Sequence, residues 1–146
     1  MKKRWKTIVA TMIVLSYSFF SGVVLAEADV HHVNWLSYDG HIFARSSNID
    51  TPVLLYVTAG WCKFCKEMSQ TTLNDPAVVS YINRNFLPIM LDADEDASIV
   101  RQYNITALPA IVVLSSKNHI VKEFAGYRTS EEAMKLLIQA YRAYQI

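Results

Sequence analysis

The chain has 146 residues, of which 52% are hydrophobic and 18% charged, with a formal net charge of +1. That length suits one domain rather than two and is enough to bury a core. The charge balance excludes a strongly basic nucleic-acid surface, and no repeat, low-complexity tract or Pro/Gly-rich linker divides the chain.

The N-terminus reads as a targeting segment. Lys2, Lys3, Arg4 and Lys6 form a basic start, Thr7 to Ala26 carries no charge, and Val24-Leu25-Ala26 ends the run ahead of Glu27. This is the layout of a secretory signal peptide over residues 1–26. An uncleaved anchor is the alternative, because a charge-free run of about 20 residues is just long enough to span a bilayer. Ser16, Ser18, Ser21 and Gly22 dilute the run and favour cleavage. In both readings the basic flank stays inside and the remainder is exported, to the periplasm; membrane contact follows only if the segment is kept. Without residues 1–26, ten basic side chains face thirteen acidic ones, a formal charge of −3.

Residues 27–34 are expected to be a mobile lead-in to a domain covering 35–146. Trp35 to Ser46 reads as a short strand or turn and then a short helix, with Leu36, Ile42 and Phe43 apolar and Asp39-Gly40 as the break. Val53–Thr58 is β-rich and apolar throughout, as a buried central strand would be. A helix is expected from Cys62 to about Leu73, with Cys65, Met68 and Thr72 on one face. Asp75 then caps a new helix with Pro76 at its first position, and Val78, Val79 and Ile82 form its buried stripe. Phe86–Leu91 is a second central strand. Asp96 to Tyr103 is a short helix with Ile99, Val100 and Tyr103 inward, and Ala110–Leu114 is a third strand. The turn Ser115-Ser116-Lys117-Asn118 returns the chain as an antiparallel strand over Ile120–Phe124. Thr129-Ser130-Glu131-Glu132 is a capping box opening a helix to about Tyr144, whose stripe is Ala133, Leu137, Ala140, Tyr141 and Tyr144. Alternating strands and helices with a closing hairpin predict an α/β fold, a mixed sheet of four to five strands flanked by helices.

The chemistry lies in Trp61-Cys62-Lys63-Phe64-Cys65-Lys66, which holds both cysteines of the chain. A disulfide closing so short a loop contributes little to folding and suits being broken and remade. A Cys-x-x-Cys pair at a strand-to-helix junction points to thiol–disulfide exchange. The attacking species is the thiolate, and Cys62 sits where unpaired N–H groups and the helix dipole favour an anion. Lys63 and Lys66 add positive charge. Cys62 is therefore expected to attack, and Cys65, one turn deeper, to resolve the mixed disulfide. No cofactor is needed beyond that redox-active disulfide. The competing reading is a metal-binding module or metallochaperone in which His31 or His32 joins the pair. Structural zinc usually needs four ligands and no second cysteine pair exists, so no metal is expected; His41 and His119 pair with no motif. Asp92-Ala93-Asp94-Glu95-Asp96 has the opening spacing of a calcium loop, but Ala97 and Tyr103 stand where glycine and glutamate are needed. An acidic helix start is the alternative. Pro109, just ahead of the β-run from Ala110, is either a plain strand-opening proline or a cis proline shaping a groove.

With both sites in view, the chain resembles the thioredoxin fold, and within it the C-terminal periplasmic domain of the DsbD transmembrane disulfide reductase family. Ala59-Gly60-Trp61-Cys62-Lys63-Phe64-Cys65-Lys66-Glu67 carries the likeness, with Asp75-Pro76, the stretch from Asn104 to Leu108-Pro109, and Gly126 after the final strand. It covers roughly residues 35–144. The resemblance implies that Pro109 is cis and sits against Cys62, and that Leu108 offers backbone groups to an extended substrate strand. Two positions depart from the pattern. Many thioredoxins carry a buried Asp six residues before the first cysteine, where this chain has Tyr56. The reductase domain tends to carry an acid four residues after the second cysteine, where this chain has Ser69. Tyr56 is expected to be buried, its hydroxyl needing a partner such as a water near Cys65. Trp61, Lys63, Phe64 and Tyr56 would support the site, and Leu108 and Pro109 would bind substrate. The function expected is exchange with protein dithiol and disulfide partners, in the direction of reducing envelope proteins, with oxidation or isomerisation as the alternative. Electrons would come from a separate donor such as a membrane disulfide reductase.

Overall fold

A computed structural model describes residues 32–43 and 50–146. The segment 1–26, His31 and the later part of the helix expected before Ser46 lie outside the described residues. Five strands form one sheet in the order β1-β3-β2-β4-β5: β1 is Leu36–Ser37, β2 Val53–Thr58, β3 Leu87–Asp92, β4 Ala110–Leu114 and β5 Ile120–Ala125. β2 and β1 run parallel to β3, while β4 is antiparallel to both β2 and β5. The expected mixed sheet is thus present, its fifth strand being the two-residue edge at Leu36–Ser37.

β2 is the axis of the core, and its side chains alternate between two layers as the pleat dictates. Leu54 and Tyr56 pack with Met68, Val78, Val79, Ile82 and Leu137. Val53, Leu55 and Val57 pack with Ile42, Ile89, Ile99 and Tyr103. The first layer is covered by α1 (Lys63–Gln70), α2 (Pro76–Asn85) and α4 (Ser130–Tyr144), the second by α3 (Ala97–Gln102).

Caps set the helix starts. The Asp75 carboxylate accepts from the N–H groups of Ala77 and Val78 at 3.0 and 3.2 Å, with Pro76 opening α2. Thr129 and Glu132 close the capping box of α4.

Two expectations are corrected. The helix from Cys62 does not run to Leu73: α1 stops at Gln70, and a 3₁₀ turn covers Thr72–Asn74. The reason is tertiary, because the fully buried Thr72 hydroxyl donates to the carbonyl of Arg128. The lead-in is also anchored over its described part. Val33 is buried in the first layer, and Asn83 of α2 donates to the His32 carbonyl at 3.0 Å and accepts from the Asn34 N–H at 2.9 Å.

Candidate active site

The site is built where β2 ends and α1 begins. After Thr58 the chain turns through Ala59-Gly60-Trp61, and the Cys62 N–H closes that turn on the Ala59 carbonyl at 3.1 Å. Cys62 is the N-cap of α1, with extended backbone angles, and its sulfur accepts from the Cys65 N–H at 3.2 Å. This is the place a helix offers to an anion. Cys62 and Cys65 are joined as a disulfide, with Cα atoms 5.3 Å apart. Cys62 keeps 6% of its surface exposed and Cys65 none, so a partner reaches Cys62 first.

Around the pair lies an apolar rim. Trp61 and Phe64 are 69% and 56% exposed, an unusual placement for large aromatics unless they meet a partner. Ala59, Ala93 and Leu108 pack on the two cysteines. The Leu108–Pro109 peptide bond is cis, and Pro109 is buried. The Gly126 N–H donates to the Pro109 carbonyl at 2.7 Å and Gly126 has φ +83°, a conformation that glycine adopts without strain. Lys63 and Lys66 are exposed on α1.

Beneath the pair lies Tyr56, fully buried. Its hydroxyl donates to the Cys65 carbonyl at 3.1 Å and lies 3.2 Å from the Ser69 Oγ. The buried hydroxyl thus has the partner it was expected to need, in protein groups at Cys65 and Ser69. Burial pushes the Tyr56 phenol above its ordinary value, against smaller opposing effects of hydrogen bonds from Ser69 and Thr58.

Sequence reasoning missed Asp94. Its carboxylate accepts from the Trp61 indole N–H at 2.9 Å, tying the β3–α3 loop to the rim. The acidic run serves its own backbone as well: Asp92 Oδ1 accepts from the Asp94 N–H at 2.9 Å and Asp96 Oδ2 from the Asp92 N–H at 2.9 Å. Only the proximity of Asp94 to the end of β3, the neighbour of β2, hinted at this role. His32, His41 and His119 are exposed. Among the described residues no group of three or more His, Cys, Asp or Glu is placed to hold a metal.

The sheet order, the dithiol at the start of α1 and the facing proline loop define a thioredoxin-like protein of the thiol–disulfide oxidoreductase class. Residues 19–115 match the Thioredox_DsbH family (protein of unknown function, DUF255), and the chain belongs to that family. Over 82 residues it is 30% identical to the thiol:disulfide interchange protein DsbD of Pectobacterium atrosepticum, covering 54% of this chain and 14% of that protein. Over 74 residues it is 30% identical to thioredoxin 2 of Plasmodium falciparum, covering 51% of this chain and 45% of that protein. The chain thus spans less than half the length of either relative. Among solved structures, a thioredoxin from Thermus thermophilus superposes with a TM-score of 0.66 at 25% identity, covering 74% of this chain and 86% of that one. A DsbH oxidoreductase superposes with a TM-score of 0.65 at 16% identity, covering 86% and 96%. The C-terminal domain of Neisseria meningitidis DsbD gives 0.59 at 22%, covering 72% and 99%. The last two show the fold alone.

Proposed function

We propose that this chain is an exported thiol–disulfide exchange protein that reduces disulfides of envelope proteins through Cys62 and Cys65. The observation that carries it is the asymmetry of the pair: Cys62, at the start of α1, keeps 6% of its surface open, and Cys65, one turn deeper, is sealed. In the reduced protein the Cys62 thiolate attacks a partner disulfide, and one partner sulfur leaves as thiolate. Cys65, giving its proton to solvent, then attacks the Cys62 sulfur of the mixed disulfide. The bond from Cys62 to the partner breaks, the second partner sulfur leaves with the electron pair, and the Cys62–Cys65 disulfide forms. The partner gains two electrons and this chain loses them.

Trp61 and Phe64 supply the apolar contact surface, and Leu108, packed on the pair, with Pro109 next to it, offers the wall along which an extended partner strand lies. Direction is supported by what separates the cysteines. Strong oxidants of this fold stabilise a very low-pKa thiolate; Lys63 adds charge near Cys62, while Phe64 adds bulk and no hydrogen bond. The reductase-like Trp-Cys-x-x-Cys-Lys-Glu context favours reduction. Export rests on the basic start and the charge-free run to Ala26, and exchange on the likeness to the thiol:disulfide interchange proteins DsbD. Electrons would arrive from a separate donor, such as a membrane disulfide reductase.

The test is the equilibrium of Cys62–Cys65 with glutathione, read with the redox state of the pair in cells. A potential in the range of thioredoxin, about −270 mV, with the thiols reduced in cells is the expected result. A potential near about −120 mV with the pair oxidised in cells would make the protein an oxidant instead. Stoichiometric metal on the freshly reduced protein would replace exchange with metal handling.

A further inference from the structure

The Tyr56 hydroxyl has one proton, and the Cys65 carbonyl can only accept it. Tyr56 is therefore the donor to Cys65, at 3.1 Å, and Ser69 must donate to Tyr56, at 3.2 Å. The result is a directed chain from Ser69, through Tyr56 on the central strand, to the backbone of Cys65. It ties both the first and the last turn of α1 to β2, through residues 9 and 13 positions from Tyr56. No other hydrogen bond from a side chain of β2 to α1 is present among the described residues.

We propose that Tyr56 and Ser69 form a positioning pair for the resolving cysteine, holding Cys65 in reach of Cys62 while neither takes its proton. This rests on the exchange reading above. The step affected is the second one, in which the Cys65 sulfur attacks the Cys62 sulfur, the partner thiolate leaves and the Cys65 proton goes to solvent. Intramolecular steps of this kind depend steeply on how well the attacking atom is held. The first attack, by Cys62 at the start of α1, does not draw on the pair.

The surroundings leave the two cysteines as the groups whose ionisation sets the rate. Tyr56 is the sole titratable side chain on β2, and β4 has none. The groups packed on Cys65 are Ala59, Cys62, Ala93 and Leu108, and Trp35 lies on the Tyr56 ring at 5.4 Å. On α1, Lys63, Lys66 and Glu67 are exposed. Asp94, in the β3–α3 loop, is bonded to Trp61, and Asp92, the last residue of β3, accepts from the Asp94 N–H. A phenol and an alcohol stay protonated across neutral pH. The pair therefore scales the rate of resolution without adding a titration of its own.

The experiment uses the full chain, reduced and mixed with oxidised glutathione, then acid-quenched over time and read by mass. Loss of free Cys62 thiol gives attack; conversion of the glutathione adduct to the Cys62–Cys65 disulfide gives resolution. Tyr56→Phe should slow resolution about 5-fold, the worth of one hydrogen bond, and change attack by less than about 2-fold. The factor should be the same from pH 5.5 to 8.5, roughly the span over which thiolates form. The double variant with Ser69→Ala should be no slower than Tyr56→Phe. Ser69→Ala alone, at an exposed position, keeps the test open if Tyr56→Phe folds poorly, and should slow resolution about 2-fold, a weaker hydrogen bond than the one to Cys65. Equal slowing of both steps, no slowing of either, or a factor that varies with pH overturns the positioning role. A wild-type chain that forms no glutathione adduct overturns the exchange reading itself, and the pair with it.

Discussion

The two ends of the sheet solve opposite problems. At the end where β2 and β3 finish, apolar surface is left outside: Trp61 and Phe64 stand in solvent above a sealed sulfur, and the hydroxyl beneath it is neutral. At the other end, ahead of β2 and beyond β4, polar groups are gathered and tied. Asp50 accepts from the Tyr144 hydroxyl at 2.6 Å and from Ser116 at 3.2 Å, fastening the last turn of α4 to the β4–β5 turn. The first end leaves apolar area available for a partner beside the reacting sulfur, with Asp94 tied to the Trp61 indole. The second spends its polar groups on closing the fold. A carboxylate held by two hydroxyls marks the structural end of this protein, and exposed aromatics mark the working one.

The largest effect should separate the two cysteines. Cys65→Ala is expected to accumulate mixed disulfides with partner proteins and Cys62→Ala to form none, each losing essentially all turnover; non-reducing gels of the trapped species check this. Equal trapping in both variants would remove the distinction between an outer attacking and an inner resolving sulfur.

Next in size is the frame under the working end. Thr72→Val leaves the Arg128 carbonyl without its buried donor. It should cost about 1–3 kcal/mol in urea unfolding, with the exchange rate of the folded protein unchanged. A change in exchange rate without loss of stability would place Thr72 in the site rather than beneath it.

A smaller effect comes from the buried phenol. Burial raises the Tyr56 pKa, so its contribution to stability is complete below the unfolded value near 10 and is lost as pH rises through the raised folded value. The stability gap between wild type and Tyr56→Phe should shrink or reverse between pH 7 and pH 11. A gap that is constant over that range means the phenol is not desolvated.

The smallest belongs to the structural end. Hydrogen bonds from Tyr144 and Ser116 lower the Asp50 pKa below 3.8. Its contribution is present above that value and lost as pH falls through the lowered one. Asp50→Asn should lower the urea midpoint slightly at pH 7 and not at pH 2, with glutathione exchange unaltered at both. An altered exchange rate would show that the two ends are coupled.

Local features were legible in the chain because they are local. The Asp75-Pro76 start of α2, the Thr129/Glu132 capping box and the turn after Leu114 depend on residues within four positions of one another, so spacing alone reveals them. The dithiol and its place at the start of α1 were legible for the same reason. Cis geometry at Pro109 was not legible from spacing, which left two readings open; only the resemblance chose between them. The same holds for Tyr56 and Ser69, which the sequence presents as two separate departures from a family pattern.

Sequence by itself determined the order of strands and helices, the unbroken apolar run of β2 and the identity of the reactive pair. Tertiary structure alone decided that Tyr56 and Ser69 meet under Cys65, that Asp94 holds Trp61, that Thr72 ends α1 by bonding Arg128, and that Val33 belongs to the core. Each of these joins residues brought together by sheet order and helix packing. Periodicity and caps report only the next turn of the chain, and cannot say which distant polar group will satisfy a buried one.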